Sequence, residues 1–186
     1  MPNSLNRIPV ALYLLAIMWL VFAVEIVLPG NLNTWGIMPR QLSGLLGIPF
    51  APFIHNGLWH LIGNSIPFAI LGVLIGLNEK NSILEITFLG ILFTGFGVWL
   101  FGSHAYHVGA SGLVMVYWAY LIADGWFERS VKAMLLAGIT IVLYGGMIFI
   151  FLDMRTHISW SSHAVGALSG VLIAWLEAWN RKRPKE

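Results

Sequence analysis

The sequence predicts an all-α protein, a polytopic membrane bundle of six spanning helices whose fourth helix is short and starts inside the bundle. Three observations carry this expectation. First, 58% of the 186 residues are hydrophobic and only 10% are charged, with a mean hydropathy of +0.80. Soluble domains carry about 25% charged residues, so this chain has too few to cover a surface exposed to water. Second, apolar runs of nearly bilayer-spanning length recur between polar turns. Third, Lys and Arg fall unevenly between alternate turns. One domain over residues 1–186 is expected, with no soluble extra domain and no cleavable signal peptide.

The first span is predicted over residues 10–28, ended by Pro29-Gly30-Asn31. Residues 29–57 are rich in Gly and Pro yet also apolar. They are too irregular to cross lipid, which leaves unpaired backbone groups without partners. They are expected to fold as a partly interfacial loop lying on the bundle. Spans two and three are predicted over 58–77 and 83–101, joined by the polar turn 78–81. The fourth begins near Ser111 and is expected to end near residue 123. Its buried start needs protein or a wet cavity around it. Spans five and six are predicted over 131–152 and 163–180.

Six spans put both termini on one side. That side holds Arg7, Lys80, Arg129, Lys132, Arg181, Lys182, Arg183 and Lys185, and the other only Arg40 and Arg155. Both termini are therefore expected in the cytoplasm, with loops 29–57, 102–110 and 153–162 facing outward. The formal charge of +2 is too small and too localised to suggest nucleic acid, and the basic tail reads as an orientation signal beside anionic lipids. The chain has no cysteine, which excludes disulfides, thiol chemistry and Cys-based metal sites. Tryptophans 59, 99, 126, 160, 175 and 179 lie near span ends, as an interfacial aromatic belt requires.

In this topology His60, Asn64, Ser111 and His163 lie at a similar depth, in the outer half of the membrane. Polar side chains there are expensive and face a protein interior or a wet cavity. A serine hydroxyl becomes a useful nucleophile when a neighbouring base takes its proton, and neutral imidazole suits that role near pH 7. His163 opens a stretch in which Gly166 and Gly170 form a Gly-xxx-Gly face that permits close helix approach. If that face packs near Gly112, His163 comes toward Ser111. None of the eight carboxylates sits beside these segments, which favours a Ser–His dyad over a triad. His60 and Asn64, spaced i and i+4, share one helical face and can both donate. With backbone N–H groups at a helix start, they form a candidate oxyanion site.

The set His55-x4-His60-x3-Asn64, Gly109-Ala110-Ser111-Gly112 and His163-x2-Gly166-x3-Gly170 resembles the rhomboid family of intramembrane serine proteases, over nearly the full length. The stretch from Trp35 through His55 resembles a bacterial branch of it. The resemblance implies Ser111 as nucleophile, His163 as base, and His60 and Asn64 as oxyanion donors. It implies single-span transmembrane substrates cut near the outer face of a bacterial inner membrane, entering laterally near spans two and five under the 153–162 loop. No cofactor and no metal are implied. Two departures stand out. The first outer loop lacks the adjacent Trp-Arg pair of many members, so a different anchoring is expected. The position four after the serine, often Tyr stacked on the histidine, is Met115.

His55 is expected to serve the loop structurally, and His104 and His107 to sit in an exposed loop. A metalloprotease is disfavoured because His-Glu-x-x-His is absent, and an aspartyl protease because no carboxylate pair lies within the spans. A transporter is disfavoured because no inner-half polar cluster or inverted repeat matches the outer one. The alternative with most weight is a non-catalytic rhomboid-like protein that binds transmembrane clients.

Overall fold

The structure, a computed structural model, describes residues 8–27, 30–78, 82–152 and 160–182. It contains six long helices: α1 (Ile8–Val27), α2 (Leu58–Leu77), α3 (Ile83–Phe101), α4 (Ser111–Glu128), α5 (Val131–Tyr144, continued as a 3-10 helix over Gly145–Leu152) and α6 (Trp160–Lys182). No strand occurs among the described residues; Ile37 and His107 form an isolated antiparallel bridge. The 78–81 turn is described only at Asn78. Of the 153–162 loop, only residues 160–162 are described, and they begin α6. The basic tail beyond Lys182 also lies outside the described residues.

Among the described residues, four segments are long and apolar enough to cross a membrane: Val10–Val27, Leu58–Leu77, Ile83–Phe101 and Val131–Phe149. Helices α4 and α6 fall outside this group because each carries polar residues toward its end, Asp124 and Glu128 in one and Glu177 and Arg181 in the other. Packing accounts for their stability instead. Every residue of α4 from Gly112 to Leu121 is buried, so it forms the centre around which the other helices stand. Its most extensive neighbour is α6, followed by α5 and α2.

Glycines set the spacing. A Cβ on Gly166 would fall 2.3 Å from the Gly112 carbonyl oxygen, and one on Gly170 would fall 2.3 Å from that of Val116. The backbones of α4 and α6 therefore touch along two turns, and the Gly-xxx-Gly face packs against α4 as the sequence suggested. Gly97 likewise admits Val165 of α6 into α3.

Residues 30–57 form a folded layer with short helical turns at Leu32–Trp35, Leu42–Leu45 and Ala51–Phe53. Gly44 and Gly47 let it double back against Met38 and Gly36. Arg40 and Trp99 anchor it to α3. The Arg40 N–H donates to the Trp99 carbonyl at 3.0 Å, the Trp99 Nε1–H donates to the Gln41 carbonyl at 2.8 Å, and Arg40 Nη1 donates to the Gly102 carbonyl at 2.8 Å. A Trp and an Arg far apart in sequence thus tie the loop down.

Two expectations need correction. Helix α4 runs to Glu128, five residues beyond the expected end, because Ala123 to Gly125 continue its buried face. The opposite end of the bundle also holds a polar cluster. Arg181 pairs with Asp124 (3.0 Å), Glu177 (3.2 Å) and Glu128. Tyr120 OH donates to Glu177 at 2.6 Å and Asn78 Nδ2 to Asp124 at 3.3 Å. No inner-half polar cluster was expected from the sequence. Asp124 is 2% exposed, and one guanidinium draws the ends of α4 and α6 together around it.

Candidate active site

The segment before α4 is held from three sides. Ile37 and His107 exchange backbone hydrogen bonds at 3.0 and 2.9 Å, and the Gly109 N–H donates to the Ala51 carbonyl at 2.8 Å. The Ala110 N–H donates to His55 Nε2 at 3.3 Å. Gly109 adopts φ +106°, a left-handed conformation open to glycine without a Cβ penalty. These restraints turn the chain from loop into helix at Ser111. The first α4 backbone bond runs from the Val114 N–H to the Ala110 carbonyl. The N–H groups of Ser111, Gly112 and Leu113 therefore have no partner within the helix.

His60 and Asn64 are carried to this turn by the first half of α2. A Cβ on Gly109 would lie 2.5 Å from His60 Cε1, 2.6 Å from His60 Nε2 and 3.6 Å from Asn64 Nδ2. The His60 ring thus rests on the backbone two residues before Ser111, where a larger residue at 109 would displace it, and the Asn64 amide lies in ordinary contact beside it. Asn64 is buried and its Nδ2 has no hydrogen-bond partner. An uncommitted buried donor is costly unless something else completes it.

His163 lies in the first turn of α6 and is buried, with Nδ1 unpartnered. The Gly112–Gly166 contact fixes this turn beside the start of α4, and a Cβ on Gly112 would lie 3.3 Å from the Ser162 carbonyl oxygen. No hydrogen bond joins Ser111 Oγ to His163 among the described residues; catalytic hydrogen bonds are often long before substrate binds. Met115 is 1% exposed and faces Gly166, where an added Cβ would approach its own Cβ to 3.2 Å. Position 115 therefore packs one turn from His163.

His55 is nearer the site than a loop role implied. It is 1% exposed and its ring stands edge-on to that of His60, centroids 5.1 Å apart. Burial, then the neighbouring His60, pushes its pKa from 6.5 down to about 4, against a smaller opposing contribution from the Phe53 backbone. It is neutral at pH 7, as an acceptor at Nε2 must be. The i, i+5 spacing from His60 hinted at this contact, but nothing in the sequence names Ala110 as its partner. His104 is exposed as expected, whereas His107 is buried with Nε2 3.0 Å from the Ser103 carbonyl oxygen. It serves the loop fold.

A rhomboid-domain family model matches residues 39–180. The chain belongs to the rhomboid family. Uncharacterized proteins of Mycobacterium bovis and Mycobacterium tuberculosis are 31% identical over 170 residues, covering 87% of this chain and 71% of theirs. One from Mycobacterium leprae is 31% identical over 171 residues, with 68% of its length covered. Rhomboids are generally intramembrane serine proteases, though some members are inactive. Membership, together with the apolar helices, makes this an integral membrane protein of helical-bundle type.

Proposed function

We propose that the chain is a single-domain, six-span intramembrane serine endopeptidase working with a Ser111–His163 dyad. The observation that carries this reading is the backbone contact of Gly166 on Gly112, which holds the histidine turn of α6 beside the serine turn of α4. His163 takes the Ser111 proton as the hydroxyl attacks a peptide carbonyl. It then returns the proton to the leaving amine, and water releases the acyl group. The oxyanion is met by the first N–H groups of α4, with His60 and Asn64 as side-chain donors. No carboxylate is assigned to orient His163; the close approach of α4 and α6 at Gly112 and Gly166 positions the turn that carries it.

The substrates are transmembrane helices unwound near the membrane face that carries the α4 N-terminus. With both termini cytoplasmic, that is the outer face of a bacterial inner membrane. Entry is lateral, near α2 and α5. Fluorophosphonate labelling of the purified protein tests the chemistry. Wild type is expected to label, and Ser111→Ala and His163→Ala to lose the label. A folded wild type that stays unlabelled beside a reactive family member would leave a client-binding role in its place.

A further inference from the structure

His55 is a buried histidine with no part in the dyad or among the oxyanion donors, yet it touches both halves of that site. On the α4 side its Nε2 accepts the Ala110 N–H at 3.3 Å. On the α2 side its ring stands edge-on to His60, centroids 5.1 Å apart. His60 in turn bears on Gly109, where an added Cβ would fall 2.5 Å from its Cε1. The three contacts close on one another. His55 cannot move without shifting either the start of α4 or the His60 ring.

The hydrogen bonds around Ala110 show what this constraint does. The Gly109 N–H donates to the Ala51 carbonyl at 2.8 Å, and the Ala110 N–H is taken by His55. The Ala110 carbonyl accepts the Val114 N–H at 2.8 Å. Both peptide planes of Ala110 are therefore held, with φ −76° and ψ −2° between them. The Ser111 N–H belongs to the second of these planes and is the first in the run without a partner inside the helix. Its direction follows from the bond that His55 makes one residue earlier.

An apolar side chain could fill the same place without a polar atom to satisfy. Here Nδ1, which carries the proton when Nε2 accepts, is buried with no hydrogen-bond partner of good geometry. Such a group is costly, so what the imidazole supplies in return is the acceptor at Nε2. The titratable group facing it is His60, from α2, while α4 meets it with a backbone amide. We infer that His55 is a positioning residue of the oxyanion site, aiming the Ser111 N–H through Ala110 and bracing the His60 ring. The assignment rests on the protease reading above and deepens it.

Saturation labelling of the purified full chain with a fluorophosphonate at pH 7.5, beside unfolding temperatures, tests it. Oxyanion donors act on the phosphoryl oxygen as the serine attacks, so their aim affects the maximal rate more than probe binding. His55→Leu is expected to slow maximal labelling about tenfold or more, with the half-saturating probe concentration within about twofold of wild type. His55→Gln, whose Oε1 can accept the Ala110 N–H, is expected to return to within about threefold of wild type. A folded His55→Leu that labels like wild type would overturn the assignment. So would a His55→Gln as slow as His55→Leu at the wild-type unfolding temperature. If His55→Leu does not fold, hydrogen exchange at Ala110 decides. At about pH 3.5, below the His55 pKa of about 4, wild type is expected to lose protection and His55→Gln to keep it; equal protection would overturn the assignment. A wild type that protects Ala110 at pH 7.5 but takes no label would sink the protease reading, and the assignment with it.

Discussion

His55 Nε2 accepts a hydrogen bond from the Ala110 N–H at 3.3 Å, joining the loop before α2 to the residue just ahead of Ser111. Because the acceptor must be unprotonated, this joint depends on pH. In the folded protein the His55 pKa is lowered to about 4, chiefly by burial and then by His60, while an unfolded histidine titrates near 6.5. As pH falls from 6.5, the unfolded chain takes up the proton first. The contribution is complete above pH 6.5, declines between 6.5 and about 4, and is lost below. Its size is about 3 kcal/mol. Thermal unfolding of wild type and His55→Gln at pH 7.5 and 4.5 checks this. The variant should lose much less stability on acidification, and parallel losses would remove His55 as the cause.

The close approach of α4 and α6 gives a second expectation. At Gly170 a methyl group meets the Val116 carbonyl oxygen at 2.3 Å and the Tyr120 nitrogen at 2.9 Å. Backbone atoms cannot swing aside, so the helices must separate. Gly170→Ala and Gly166→Ala should each cost about 1–3 kcal/mol. Gly63→Ala, where the methyl group meets nothing, should be neutral or stabilise by about 0.5–1 kcal/mol. Denaturant or thermal titration in detergent compares the three. A neutral Gly170→Ala would contradict the contact.

At the far end of the same pair of helices, Arg181 serves three carboxylates. Its side chain is 28% exposed, while those of Asp124 and Glu128 are 3% and 6% exposed. Removing the cation leaves buried acids facing one another. With allowance for solvent reaching Arg181, Arg181→Ala should destabilise by about 2 kcal/mol. Arg181→Lys should restore only part of this, since an ammonium lacks the planar fork that spans several acceptors. Full recovery by lysine, read from the unfolding temperature, would show that charge alone matters.

These cases separate what the sequence made legible from what it hid. Helix positions followed from apolar run length, and the start of α4 at Ser111 from the polar-to-apolar switch after Gly109. The packing of α4 on α6 followed from Gly166 and Gly170, because a small-residue face has few other uses in lipid. The Arg181 cluster was hidden because end carboxylates look alike whether they face water or each other. Only the relative rotation of α4 and α6 turns Asp124 inward. The Arg40–Trp99 clasp was hidden for a related reason, since its partners are backbone carbonyls that no sequence pattern marks.

Met115 tests whether packing substitutes for a charged partner at His163. It is buried, it faces Gly166 one turn from the histidine, and its thioether is flexible and polarisable. Met115→Ala removes that support and leaves a cavity, which should cost about 2–4 kcal/mol. If Met115 also positions the imidazole, fluorophosphonate labelling of Ser111 should slow about tenfold in protein that is still folded. Met115→Leu, close in volume, should stay within about 1.5 kcal/mol of wild type and label at a similar rate. Labelling rates and unfolding temperatures measured on the same samples separate the two effects. An alanine variant that is less stable but labels normally would show Met115 to be a core residue, and the imidazole would then be held by the α4–α6 backbone contact alone.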